Sequence, residues 1–299
     1  MSQTDRGHGA IAPAPDPLPV PVVDNHTHLD IRRRDLPDPA GEHDDETKRV
    51  EHALRQAAAV RVDRVMQIGC DLESARWTVE QVDRHAGMLG GIALHPNEAP
   101  RLADAGELSA AFAEIEALAA HPRVRVIGET GLDYYRTDEG GRAAQHESFR
   151  WHIDLAKRTG KALQIHDRDS HDDVLRILVE EGAPPVTVMH CFSGDIAMAR
   201  ECVERGYLLS FAGTVTFKSA KGLRDALAVT PVDHVLVETD APYLTPMPHR
   251  GSANAPYLLP FTVRAMAGVL GISVATLCEA VSANAERAYG PWAQPLRTG

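Results

Sequence analysis

Val20-Pro21-Val22-Val23-Asp24-Asn25-His26-Thr27-His28 leads a short apolar run into two histidines two residues apart. On an extended strand, side chains at i and i+2 share a face. His26 and His28 can therefore aim two imidazoles at one point, which suits zinc and related metals. An isolated His-x-His also arises by chance on a surface. Its meaning depends on whether other ligands reach the same place.

Downstream, apolar runs alternate with helical patterns. Strands are expected at 20–23, 62–68, 88–94, 124–127, 162–165, 186–189, 207–211 and 234–237. Helices are expected at 45–59, 72–86, 108–120, 142–159, 171–181, 196–205 and 221–229, with closing helices at 256–270 and 274–289. The strands read as buried on both faces. No Gly-x-Gly-x-x-Gly follows the first strand, so a dinucleotide fold has no support. Eight strand–helix units in one unbroken run predict an α/β chain folded as a (β/α)8 TIM barrel. The expected domain is 20–292, preceded by a Pro- and Ala-rich leader, 1–19, read as disordered.

Functional residues of such a barrel lie at the C-terminal ends of its strands. Those ends carry His26 and His28 (strand one), His95 (three), Glu129 (four), His166 (five), His190 (six) and Asp240 (eight). Five of the 15 histidines fall there, a concentration chance does not produce. Singly, each has a bland role open to it: a core histidine for His166 or His190, a cap for Glu129 or Asp240. His95 can contact substrate or cap Pro96-Asn97. Together, four imidazoles and two carboxylates suffice for two divalent ions with positions left for water. One shared carboxylate can hold such ions about 4 Å apart, the spacing of two-metal hydrolases. Asp240 could also take a proton from the attacking water. Asp240 and Glu129 are the catalytic candidates.

The totals set outer bounds. With 31 basic and 42 acidic residues the formal net charge is −11, which does not describe a general nucleic-acid coat. It leaves room for a nucleic-acid enzyme whose metals supply local positive charge. Four scattered cysteines without a Cys-x-x-Cys pair suggest a reduced, intracellular chain. No transmembrane stretch and no signal-peptide pattern are visible, so a cytoplasmic protein without membrane contact is expected.

Further blocks carry a resemblance. They are Asp24-Asn25-His26-Thr27-His28-Leu29-Asp30, Leu94-His95-Pro96, Gly128-Glu129-Thr130-Gly131-Leu132-Asp133-Tyr134-Tyr135, Ile165-His166-Asp167-Arg168-Asp169, His190-Cys191-Phe192-Ser193-Gly194 and Glu238-Thr239-Asp240-Ala241-Pro242-Tyr243-Leu244. With Gly213–Phe217 and Pro248–Gly251 they span nearly the whole folded chain, which resembles the TatD-type DNase family of amidohydrolase-like barrels. The resemblance implies two divalent ions, Mg²⁺, Mn²⁺ or Zn²⁺. His26, His28, Glu129 and Asp240 would hold the first. Glu129, His166 and His190 would hold the second. It implies removal of nucleotides from DNA, often 3′ to 5′ and from single strands. Asp167 departs from the Thr or Ser usual after the strand-five histidine, and an extra carboxylate there could disfavour phosphate.

On the substrate side, Arg168 and Arg250 could fork onto phosphate, with Lys218 a weaker candidate. Tyr134 and Tyr135 could stack on bases or pack over the rim. Arg32-Arg33-Arg34 reads as a solvated loop offset by nearby acids. Single-stranded DNA is the expected partner, with no obligate protein partner and a monomer expected. The same ligands on the same fold could also serve an amidohydrolase acting on a small cyclic amide, ester or lactone. A non-catalytic metal-binding scaffold is opposed by the complete ligand set.

Overall fold

The computed structural model describes residues 11–31 and 45–292. Arg32-Arg33-Arg34 lies outside the described residues. Eight parallel strands form one sheet in sequence order, β1-β2-β3-β4-β5-β6-β7-β8. They are β1 (Val22–Thr27), β2 (Val62–Gly69), β3 (Met88–Ile92), β4 (Val124–Asp133), β5 (Ala162–Arg168), β6 (Thr187–Met189), β7 (Leu208–Phe211) and β8 (Val235–Val237). The helices are α1 (Glu46–Ala59), α2 (Leu72–Arg84), α3 (Glu98–Asp104), α4 (Leu108–Ala119), α5 (Arg142–Thr159), α6 (His171–Glu181), α7 (Ile196–Glu204), α8 (Lys221–Val229), α9 (Leu259–Leu270) and α10 (Val274–Tyr289). This is the expected (β/α)8 barrel, nearly closed.

Local chemistry sets the helix ends. Asp71 and Ser74 form a reciprocal capping box on α2, Ser273 caps α10, and Gly160 ends α5 in the left-handed conformation. Val23, Met66, Leu89, Val126, Ala162, Val188, Leu208 and Leu236, one from each strand, pack with Ala285, Tyr289 and Trp292. A cluster fed by every strand is the barrel interior, and the end of α10 closes it. The larger cluster lies between the strands and the helical ring.

Three expectations are corrected. The strand expected at 124–127 runs on to Asp133, because 130–133 pair with β5 from Ile165 to Arg168. Gly128 and Gly131 read as stop signals, yet Gly131 is what lets the strand continue. Its φ is +136°, and a Cβ there would lie 2.1 Å from the His166 carbonyl oxygen. Helix α3 was not expected; its Pro100 sits in the first turn, where no backbone donor is lost. The leader is not free over 11–19. Ala12 and Leu18 are 3% and 1% exposed, and Leu18 N donates to Val60 O at 3.1 Å. The Tyr257 hydroxyl donates to Ala12 O (2.7 Å) and Arg264 to Asp16 O (2.6 Å). Burying one leucine contributes about 1.5–3 kcal/mol, enough to help seat a proline-stiffened segment.

The seam between β8 and β1 has no continuous ladder. A single bridge pairs Thr27 with Ala241, His28 N donates to Ala241 O (2.8 Å), and Asp240 N donates to His26 O (3.0 Å). The buried Asp24 carboxylate adds three acceptances: from Thr239 N (2.9 Å), Thr239 Oγ1 (2.5 Å) and His26 N (3.3 Å). Asp240 is thereby held beside the two histidines. Among the described residues no single helix is long and apolar enough to cross a membrane.

Behind the site, buried His152 on α5 donates from Nδ1 to Ser148 O (2.7 Å) and accepts at Nε2 from Leu94 N (3.2 Å). Burial pushes its pKa down to about 4 from 6.5, against the opposing Ser148 bond. The fold binds neutral His152, so its contribution is complete above pH 6.5 and declines as pH falls toward 4. At pH 5 wild type should lose about 2 kcal/mol from this group relative to pH 7. Urea unfolding of wild type and His152→Gln at both pH values checks this; an equal acid loss in both would refute it.

Candidate metal centre

Asn25, from β1, and Gln164, from β5, fix the chemistry of the first histidine. Gln164 Nε2 donates to Asn25 O (3.1 Å) and to the Tyr289 hydroxyl (2.9 Å), and that hydroxyl donates to Asn25 Oδ1. Asn25 Nδ2 donates on to Ser210 Oγ (2.9 Å). The amide orientation follows, so Gln164 Oε1 accepts from His26 Nδ1 at 2.8 Å. His28 Nδ1 faces the Ile68 carbonyl at 3.0 Å and must also donate. Both Nε2 atoms are left with lone pairs, and they face each other at 3.2 Å. Such a pair needs a cation between them, and the separation suits two adjacent ligands each about 2.1 Å from one ion. Without an ion, a proton serves. Burial and His190 lower the His26 pKa, whereas at His28 the penalty of burial is outweighed by Cys70 and Asp240 and the pKa rises well above 6.5.

Glu129 stands at the centre, inside β4, with each oxygen facing a different set of donors. Oε2 lies 3.5 Å from His26 Nε2 and 3.8 Å from His28 Nε2. Asp240 Oδ1 completes that set, 3.4 Å from His28 Nε2 and 4.0 Å from His26 Nε2. Oε1 lies 2.6 Å from His166 Nδ1, 3.1 Å from His190 Nε2 and 3.6 Å from His95 Nε2. Burial alone would raise the Glu129 pKa, but His190, His95 and His166 hold it well below the carboxylate range. At His166 burial is likewise overcome, by Asp133 and Glu129, and its pKa is lifted to about 9. The pocket demands positive charge and offers imidazole and carboxylate ligands for it. That donor set fits divalent ions.

Five of the six expected ligands, His28, Glu129, His166, His190 and Asp240, line one recess of about 620 Å³ at the C-terminal face of the strands, and His26 is buried beside them. His95 caps the turn at Pro96-Asn97. Nδ1 accepts from Asn97 N (3.1 Å), so Nε2 carries the proton and points toward Glu129. Burial lowers its pKa to about 3, which makes it a neutral donor. Arg168 lines the recess and lies over the Tyr135 ring at 3.9 Å, with Tyr135 65% exposed.

Tyr134 and Arg250 are not where base stacking and phosphate contact in the recess require them. The Tyr134 hydroxyl is held between His146 Nε2 (2.5 Å) and Asp173 Oδ2 (2.6 Å), turned toward α5 and α6. Arg250 lies over Phe217 at 4.5 Å, outside the recess lining. Asp167 adds no bare charge to the site. Its oxygens accept from Ser170 Oγ (2.8 Å) and pair with His171 Nδ1 (2.7 Å).

Other participants were not singled out from the sequence. Glu238 Oε1 lies 2.8 Å from His190 Nδ1 and accepts from Cys191 N (2.9 Å). Asp133 Oδ2 lies 3.4 Å from His166 Nε2. Cys70 Sγ lies 3.5 Å from Glu129 Oε2, and burial pushes its thiol up to about 12. The i, i+2 rule that joined His26 to His28 also joins Gln164 to His166 on β5. It gives no signal for Cys70.

The family model for TatD related DNase matches residues 23–290. The chain belongs to the TatD-related DNase family. It is 48% identical over 273 residues to the uncharacterized metal-dependent hydrolase TatD of Mycobacterium tuberculosis, covering 90% of this chain and 98% of that one. It is 34% identical over 269 residues to the uncharacterized metal-dependent hydrolase YabD of Bacillus subtilis, covering 90% and 98%. The crystal structure of the TatD homologue YJJV from Escherichia coli shares the fold, with a TM-score of 0.79 at 22% identity over 90% of this chain and 98% of that one. This TatD-family chain is a metal-dependent hydrolase.

Gln164→Leu leaves the TatD-family ligands in place but removes the acceptor of His26 Nδ1. The tautomer with Nε2 free is then no longer enforced. Metal affinity should fall about 10- to 100-fold, as is usual when the partner behind a ligating histidine is lost. Competition with a chromophoric chelator measures it; unchanged affinity would remove the role assigned to Gln164.

Proposed function

We propose that this protein is a DNA nuclease that hydrolyses phosphodiester bonds, working from the 3′ end of single strands, with two divalent ions held on either side of Glu129. The observation that carries the reading is the division of the Glu129 carboxylate between two donor sets. His26 and His28 face Oε2, and Asp240 stands beside them, 3.4 Å from His28 Nε2. His166 and His190 share Oε1. The family supports a nucleic-acid substrate, and the 3′-to-5′ direction is what the motif resemblance implies.

Bound ions of the Mg²⁺, Mn²⁺ or Zn²⁺ type would supply positive charge for the developing negative charge on the phosphoryl oxygens and lower the pKa of water. The chain's own groups do the rest. Asp240, whose side chain is 13% exposed, opens to the recess and takes a proton from the attacking water. His95 donates from Nε2 to a phosphoryl or leaving oxygen. Arg136 and Arg168 line the recess and orient the diester. Glu238 and Gln164 hold the tautomers of His190 and His26.

The test is a nuclease assay on chelated protein, with Mg²⁺, Mn²⁺ or Zn²⁺ restored and single-stranded DNA labelled at the 3′ or 5′ end. Metal-dependent mononucleotide release, absent in Glu129→Ala, supports the reading, and the label released first gives the direction. No cleavage with any metal, while two equivalents remain bound, removes the nuclease assignment.

A further inference from the structure

Among the described residues of this acidic chain, most arginines are already engaged. Arg76 pairs with Glu114, Arg158 with Asp154 and Glu116, Arg176 with Asp173 and Glu180, and Arg205 with Glu201. Arg224 donates to the carbonyls of Val215 and Phe217. Lys218 and Arg250 differ. Both are exposed, and among the described residues neither has an acidic partner. They meet beside a second recess, lined by Thr216, Phe217, Lys218, Met247, Pro248 and Phe261.

This recess adjoins the metal centre across a narrow ridge. The ridge is the 3-10 turn Gly213–Thr216 after β7 and the loop 244–247 after β8. Thr214 and Leu244 face the catalytic recess, whereas Thr216 and Met247 line the second one. Two contacts make the ridge stiff. Met247 N donates to Thr216 Oγ1 at 2.8 Å, and Gly213 sits so close to Leu244 that a Cβ would lie 2.1 Å from its carbonyl oxygen. The two recesses therefore keep a fixed spacing. Each is flanked by an arginine lying over an aromatic ring, Arg168 on Tyr135 at 3.9 Å and Arg250 on Phe217 at 4.5 Å. A guanidinium stacked in this way keeps its N–H edge available for an oxyanion.

We infer that the second recess is a binding subsite for the phosphodiester backbone of the substrate strand, at least one nucleotide away from the bond that is cut. Arg250 and Lys218 take the phosphate, and the apolar floor of Phe217, Met247 and Phe261 accepts the adjoining nucleoside. The enzyme then grips an oligonucleotide rather than an isolated diester. This rests on the nuclease reading, and supplies it with a length preference that a small-molecule hydrolase would not have.

The experiment uses Mn²⁺-loaded protein and fluorescein-labelled oligothymidylates of 2 and 10 nucleotides with phosphorothioate linkages, read by anisotropy over a range of salt. Wild type should bind the 10-mer more tightly than the 2-mer. Lys218→Ala/Arg250→Ala should lose about tenfold on the 10-mer and little on the 2-mer, and its salt slope should fall by about 1.4, two contacts at roughly 0.7 each. Arg250→Lys, which keeps the charge, should retain the slope. Equal affinity for both lengths in wild type, or an unchanged slope in the double variant, overturns the subsite. Hydrolysis of bis(p-nitrophenyl) phosphate and of unmodified 10-mer by wild type is run in parallel. Failure to cleave either counts against the nuclease reading and leaves the anisotropy result to stand or fall by itself.

Discussion

Glu129→Gln is expected to lower metal-dependent hydrolysis by about 10³-fold or more while the barrel still folds. The substitution keeps the volume but converts one carboxylate oxygen into an N–H donor. Turned with its oxygen toward His166 and His190, the amide puts that donor on the Nε2 lone pairs of His26 and His28, where no lone pair is then left for an ion. Toward Oε2 stand the lone pairs of His26 and His28; toward Oε1 stand His166 and His190. The amide can satisfy the polar groups on both sides, which is why the barrel still folds, but the negative charge that draws cations to the recess is gone. Metal content by mass spectrometry should fall together with the rate, and circular dichroism should be unchanged. A variant that keeps wild-type metal content and turnover would remove Glu129 from the centre of the site.

Asp24→Ala is expected to be the most destabilising single change near the site, by about 3 kcal/mol, or a fall of roughly 6–9 °C in Tm. It acts through the barrel seam. Thr239 N and Oγ1 and His26 N lose their shared acceptor in a place with no water to replace it. Burial raises the Asp24 pKa to about 7 in spite of the Thr239 bonds, so the carboxyl is already held there against its preference for water. Asp24→Asn keeps one acceptor oxygen and should lose less. Guanidinium unfolding of the two variants ranks them; equal stability for Asp24→Ala and wild type would show that the seam does not depend on this residue.

The fold was legible because each strand–helix unit has its own signal. Val235–Val237 is wholly apolar, runs such as Val124–Ile127 and Leu208–Phe211 carry one polar residue each, and polar residues or glycines bound them. The ligands were legible because barrel chemistry collects at strand ends, and an end followed by histidine is conspicuous. Glycine obscured the end of β4. Gly131 reads as a break in isolation, and only its approach to His166 makes it a requirement of pairing. Tyr134 misled as a base-stacking candidate for a related reason. Proximity in sequence to Glu129 or to a motif says nothing about which way a side chain turns once neighbouring helices offer partners such as His146 and Asp173. The groups behind the candidate ligands were missed because Gln164, Glu238 and Asp133 act through histidines; Glu238 and Asp133 stand inside the motif blocks, but nothing in the sequence pairs them with His190 and His166.

The sparse join between the last strand and the first has a consequence for how the protein is kept in working order. Seven joints of the barrel are knitted by backbone pairing, while the eighth relies on one bridge and a few side chains. His26 and His28 stand on one side of that joint and Asp240 on the other. An ion shared by the three would be a rivet through the weakest stave, and the chain's durability would then rise with the supply of metal by mass action. Starved of metal, a cell would lose more than the reaction: the hoop itself slackens, and proteolysis gains an opening at the place where the chemistry is done.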